Sequence, residues 1–143
     1  MRALGVDLGA RRIGLALSDP GGILASPAGV IERGSDHGVD HDALARRVAE
    51  TGTEVVVVGL PLSLSGAEGP AARAVRAEVE EIRARVGVPV EVRDERFSTV
   101  VATRSLRQAA GGKAVKARRR RTGVVDSAAA AVFLQSWLDS RGA

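Results

Sequence analysis

The chain has 143 residues, the size of one ordinary domain, with 45% hydrophobic and 27% charged residues, so a packed core is within reach and a disordered chain is excluded. There is no cysteine, which excludes disulfides, thiolate catalysis and cysteine-bound zinc. The net charge is +4, yet Arg96–Val125 holds nine basic residues and no acidic one, against 12 basic and 17 acidic elsewhere. Such a concentration of positive charge points to an anionic partner.

Aromatic residues make up 2%, so Val, Leu, Ile and Ala must build the core. No run of about 18 apolar residues is present to cross a membrane. The N-terminus MRALGVDLGARRIG lacks the apolar core of a secretory signal. The expectation is a soluble, cytoplasmic protein with no membrane partner.

In chain order, residues 2–8 read as a buried strand and 12–18 as a second, joined by the short turn at Gly9–Arg11. Asp19-Pro20-Gly21-Gly22 is a turn, and 26–32 reads as a third, weaker strand. After a loop over Gly34–Asp40, Asp40 is placed to cap a helix running to about Glu50. Four consecutive valines make 54–59 the clearest strand, of the kind covered on both faces. Pro70 suits the first turn of a helix to about Val86, closed by Gly87. Residues 88–93 alternate as a strand, and a helix is expected over about Ser98–Ala110. GGKAVKARRRR (111–121) reads as a flexible basic loop, followed by a last helix from about Val124 to Ser140. The order predicts an α/β fold, one mixed five-stranded sheet flanked by helices, with no repeat or linker to divide residues 1–143.

Three acidic residues occupy suggestive places. Asp7 ends the first strand inside an apolar run, Glu95 follows the 88–93 strand, and Asp126 opens the last helix. In such a sheet the strand ends line one crevice, and a helix laid across it would bring the three together. Clustered carboxylates repel unless a cation sits between them, and Mg²⁺ or Mn²⁺ suits an all-oxygen site. Two such ions about 4 Å apart serve an in-line phosphodiester displacement. Taken singly, each acid also has a plain reading: a turn former, a solvated loop residue, a group complementing a helix dipole.

The basic stretch Lys113, Lys116, Arg118, Arg119, Arg120 and Arg121 leads towards Asp126, well placed to grip a phosphate backbone. No aromatics interleave with it, so base stacking is not supported. His37 and His41 stand four apart without a metalloprotease carboxylate, and read as surface residues. Ser98 and Thr99 read as helix caps, and Trp137 as packing or part of a subunit contact.

Together the motifs carry a resemblance. Asp7-Leu8-Gly9 with Arg12-Ile13-Gly14-Leu15-Ala16, then Val58-Gly59-Leu60-Pro61 with Gly66, then Asp94 to Thr99 with Ala102, then Asp126-Ser127-Ala128-Ala129-Ala130 follow one another across nearly the whole chain. In this set and order the chain resembles the YqgF/RuvX family of pre-16S rRNA nucleases, also described as Holliday junction resolvase-like proteins. The resemblance implies a ribonuclease H-like fold and Asp7, Glu95 and Asp126 as a metal-binding catalytic triad. It further implies that Arg96, with Arg12 and Thr99, supports substrate or carboxylates, and that the products carry a 5′-phosphate and a 3′-hydroxyl. Arg11 stands where the family's first motif usually has lysine, which keeps the charge.

The substrate is then nucleic acid, an RNA precursor or branched DNA; the RNA preference comes from the family. A junction resolvase would act as a two-fold homodimer, since it cuts two symmetric strands. Two other readings compete: a non-catalytic nucleic-acid binder, and an ATP-binding domain of the actin and sugar-kinase kind. The three carboxylates speak against the first. The lack of a second glycine-rich phosphate loop speaks against the other.

Overall fold

A computed structural model describes residues 1–62, 65–94 and 115–142. Its strands are β1 (Ala3–Leu8), β2 (Arg12–Ser18), β3 (Ala25–Glu32), β4 (Val55–Leu60) and β5 (Val90–Asp94). Its helices are α1 (His37–Thr51), α2 (Pro70–Arg83) and α3 (Val115–Gly142). The helix expected over Ser98–Ala110 lies outside the described residues.

The strands form one mixed sheet in the order β3-β2-β1-β4-β5. β2 pairs antiparallel with β1 and with β3, whereas β4 runs parallel to β1 and β5 parallel to β4. The central position of β1 and β4 explains their sequences: every residue of β4 is buried, so an unbroken apolar run is needed there. The parallel arrangement puts the carboxyl ends of β1, β4 and β5 along one edge of the molecule.

Alternation along the strands divides the core. Leu4, Val6, Ile13, Leu15, Val56 and Val58 pack with Leu44 and Val48 of α1 and with Val75, Val79 and Ile82 of α2. Ala3, Ala16, Val55 and Val57 face the other way, onto Ala129, Ala130, Phe133, Leu134 and Trp137 of α3. Trp137 is therefore core packing.

The side of the sheet that meets α3 carries small residues because the helix lies close to it. A Cβ at Gly5 would come within 2.9 Å of Leu134 Cβ. This spacing is tighter than packed carbons tolerate.

Four expectations are corrected. The cap of α1 is Asp36, whose carboxylate accepts from the Gly38 N–H at 2.8 Å. Asp40 lies buried inside the first turn, where its Oδ1 accepts from the Gly34 N–H. Both aspartates precede an apolar stripe, and the chain enters the helix four residues earlier than periodicity indicates. α2 ends at Arg83 with Ala84 as its C-cap, before Gly87 is reached.

The third correction is the largest. α3 begins at Val115, so Lys116 and Arg118–Arg121 are helical and not loop. Ala, Lys and Arg are strong helix formers, and Gly123 costs only about 1 kcal/mol inside a helix that has much else to hold it. At 28 residues α3 is about 42 Å long. Last, His41 is not a surface residue: it is 1% exposed. His37 is exposed, as expected.

His41 belongs to a buried network that joins α1, α2 and the end of β3. Arg33 forks onto Glu78, with Nη1 to Oε2 at 2.7 Å and Nη2 to Oε1 at 2.9 Å. The His41 Nε2 lies 2.7 Å from the same Glu78 Oε2 and carries the donated proton, since an ionised carboxylate only accepts. The side chains of Arg33 and Glu78 are 8% and 12% exposed.

Burial raises the Glu78 pKa, but the hydrogen bonds from Arg33 and His41 outweigh it and hold the group below its ordinary value. A carboxylate lowered in the folded state contributes stability fully present above its unfolded pKa of about 4.3, and lost as pH falls through the folded value. The urea midpoint should accordingly drop below about pH 4.3 in the wild type, and this acid-linked part should be smaller in Glu78→Gln. Urea titrations between neutral pH and pH 3 would check it; parallel profiles in the two proteins would refute the assignment.

Candidate active site

At the edge where β1 and β4 end lies a cavity of about 240 Å³, lined by Asp7, Leu8, Gly9, Gly59, Pro61, Ala71 and Asp126. Two of the three acids singled out in the sequence therefore share one crevice. Asp7 comes from the penultimate position of β1, Gly59 and Pro61 from the end of β4, and Ala71 from the first turn of α2.

How Asp7 and Asp126 meet is set by a glycine. Asp7 stands opposite Gly14 in the β1–β2 register. The backbone of Asp126 rests on Gly14 so closely that a Cβ there would fall 2.3 Å from the Asp126 carbonyl oxygen and 3.1 Å from its Cβ. The helix thus sits directly over the strand pair that carries Asp7. Ser127 fastens it: its Oγ donates to the Leu15 carbonyl at 2.9 Å and accepts from the Gly29 N–H at 3.2 Å. Sequence reasoning gave Ser127 no role beyond its place in the Asp126–Ala130 motif.

Both carboxylates are withdrawn from water, Asp7 at 2% and Asp126 at 5% exposed. Asp126 lies about three turns inside α3, which begins at Val115, so complementing a helix N-terminus is not its role. Two buried carboxylates in one cavity form an all-oxygen donor set, the kind that suits a hard divalent cation. Among the described residues no group of three or more His, Asp or Glu converges on a metal position. Glu95, Arg96, Thr99 and Lys113 lie outside the described residues; β5 ends at Asp94, the residue just before Glu95.

Arg12 begins β2 two residues before Gly14 and so shares its face of the sheet. Its Nε donates to Glu32 Oε1 at 2.9 Å. Lys116 and Arg118–Arg121 fall in the N-terminal part of α3, one to three turns before Asp126.

Comparison with known proteins agrees with this architecture. The RuvX family, described as "Holliday junction resolvase", matches residues 1–140. The chain belongs to the RuvX family. A relative from Thermobifida fusca is 49% identical over 140 residues, covering 96% of this chain and 86% of its own. One from Anaeromyxobacter is 46% identical over 143 residues and the full length of both. Each is named "Putative pre-16S rRNA nuclease". This RuvX chain is therefore a nuclease-family hydrolase. Among solved structures, Thermus thermophilus RuvC in complex with a Holliday junction substrate matches with a TM-score of 0.57 and 17% identity, covering 99% of this chain and 96% of that one. That likeness is one of fold, the ribonuclease H-like fold expected from the motifs. Among the described residues no helix is long and apolar enough to cross a membrane.

Proposed function

We propose that residues 1–143 form a single metal-dependent nuclease domain that processes the 5′ end of pre-16S rRNA in the cytoplasm. The observation that carries this reading is the placing of Asp7 and Asp126 in one crevice at the carboxyl ends of parallel strands. The names of the relatives supply the substrate.

Asp7 and Asp126, joined by Glu95 from the segment that follows β5, would hold Mg²⁺ or Mn²⁺. The chemistry such ions supply is activation of water and charge stabilisation on the leaving oxygen of a phosphodiester. The chain's own part is positional. α3, bolted through Ser127 and pressed on Gly14, presents Asp126 from a rigid element. Lys116 and Arg118–Arg121 extend the same helix as a track for phosphates, and Arg12, Arg96, Thr99 and Lys113 would add further contacts to the nucleic acid.

Replacing Arg118–Arg121 with glutamine should weaken nucleic-acid binding and flatten its salt dependence, by about 0.7 to 0.9 in log–log slope for each arginine that meets a phosphate. Turnover at saturation should change less. An unaltered slope in filter binding across a salt series would remove these residues from the interface.

The family description and the RuvC neighbour favour a second reading, cleavage of four-way DNA junctions by a homodimer. One assay separates them: labelled pre-16S rRNA leader beside a four-way junction, with Mg²⁺ or Mn²⁺ or chelator, and Asp7→Asn as control. Metal-dependent cutting of the RNA alone supports the proposal. Cutting of the junction alone replaces it with the second reading. Binding of both with no cutting in metal would leave a nucleic-acid binder.

A further inference from the structure

The turn between β1 and β2 follows Asp7 directly, and its Gly9 lines the crevice. It is tight: the Gly9 N–H reaches the carbonyls of Asp7 and Arg12, each at 3.0 Å, and a Cβ at Gly9 would fall 2.7 Å from the Arg12 oxygen. A two-stranded end of this kind is marginal on its own. It is reached from β3 by Arg33. The Arg33 N–H donates to the Arg11 carbonyl at 2.9 Å, and its Nε donates to the Gly9 carbonyl at 2.8 Å.

The other two nitrogens of that guanidinium are the ones that fork onto Glu78 of α2. Glu78 is held in turn by His41 of α1, and the second His41 nitrogen lies 3.7 Å from Glu81. One planar group thus spans from the helical layer to the rim of the crevice. Its planarity matters: the Nε–H direction towards Gly9 is fixed once the two Nη groups are forked on Glu78.

We propose that Arg33 is a positioning residue for the nuclease site, holding the β1–β2 turn so that Asp7 keeps the geometry needed to bind a divalent cation. The proposal rests on the carboxylate reading above. Arg33 reaches the turn through the Gly9 and Arg11 carbonyls, and so acts through the backbone. Partners of this outer kind change metal affinity by about 10- to 100-fold when removed. Glu78 and His41 orient Arg33 and stand one step further from the metal.

The test uses the full chain and Mn²⁺ alone as probe, with affinity read by calorimetry and by electron paramagnetic resonance. Arg33→Met removes both the fork and the Gly9 bond. Arg33→Lys keeps a charge that can satisfy Gly9 or Glu78 but cannot fork. Glu78→Gln keeps Arg33 and its reach to Gly9 but leaves one acceptor where the fork had two. Arg33→Met should weaken Mn²⁺ binding and lower kcat by about 10- to 100-fold, with KM for nucleic acid little changed. Arg33→Lys should fall between it and the wild type. Glu78→Gln should lose stability and weaken Mn²⁺ binding less than Arg33→Met does.

If Mn²⁺ affinity instead follows thermal stability across all three variants, Arg33 is structural and the proposal is overturned. It is likewise overturned if folded Arg33→Lys binds Mn²⁺ as the wild type does. Asp7→Asn run alongside separates the two levels. Undiminished Mn²⁺ binding there would overturn the carboxylate assignment itself, whereas loss there with wild-type binding in the Arg33 variants would overturn this proposal alone.

Discussion

Asp7→Asn is expected to abolish metal-dependent cleavage, lowering kcat by more than about a hundredfold, while the protein stays folded. The magnitude follows from rank: removing outer partners of a metal site already costs about 10- to 100-fold, and a ligand carboxylate should cost more. Asparagine matches aspartate in shape, so the buried position between Val6 and Leu8 is kept filled. It removes a negative charge from a crevice that holds Asp126 as well.

Two observables should therefore move together. In the wild type, Mg²⁺ or Mn²⁺ at a hundred times its Kd should add about 2.7 kcal/mol of stability by linkage. In Asp7→Asn this rise in Tm should shrink or vanish. Its Tm in chelator should lie within about 4 °C of the wild type, the size of a 1 kcal/mol change in a domain of this length. Cleavage at the wild-type rate would remove Asp7 from the site. A collapsed Tm in chelator would show instead that Asp7 is needed for folding, and Asp126→Asn would then carry the test.

The strands of this sheet were legible because each has one dominant signal. The valine run marks β4, and the buried run of β1 joined to β2 by a short turn marks that pair; β2 is bounded at Arg12 and Ser18 as read. Asp7 was legible because a charge at the end of a buried apolar strand is costly without a purpose. The course of α3 was not. Composition labels a run of arginines as solvated, and solvated helix and solvated loop differ in propensity by tenths of a kcal/mol per residue. What settles the matter is the apolar stripe from Ala129 to Leu138, which anchors the helix on the sheet and lets it propagate backwards.

The Arg33–Glu78–His41 network was illegible for a different reason. Its members lie 45 and 37 positions apart from Glu78, and no local period links them. Only the crossover of the chain brings them to one place. Asp40 was read as the cap because aspartate suits that position, but Asp36 takes the role and Asp40 accepts from the Gly34 N–H instead.

Gly14→Ala should be strongly damaging, since among the described glycines a Cβ there meets the closest atom. The motif around Gly14 is visible in the sequence, but its physical reason is the approach of a helix that begins more than a hundred residues later. The added Cβ would lie 2.3 Å from the Asp126 carbonyl oxygen and 2.6 Å from its carbonyl carbon. Both are backbone atoms, so no rotamer change can relieve the contact. Either α3 lifts from β2 or β2 is pushed from β1, its partner at Asp7.

Overpacking of this kind costs about 3 kcal/mol, at the upper end of its usual range because the clash is with backbone. The same shift would draw Ser127 from the Leu15 carbonyl and Gly29 N–H, exposing or orphaning polar groups now 4% exposed. Activity should fall further than stability does. At temperatures where the variant is still folded, Asp126 would be displaced from Asp7 by a fraction of an ångström to an ångström, enough to cost about a hundredfold at a site that depends on placement. Ala16→Gly, on the same strand and face but away from the crevice, makes the contrast: a cavity variant that loses stability and retains turnover. If Gly14→Ala instead loses stability and activity in the same proportion as Ala16→Gly, the close contact at Gly14 serves the fold and does not set the distance between the two carboxylates.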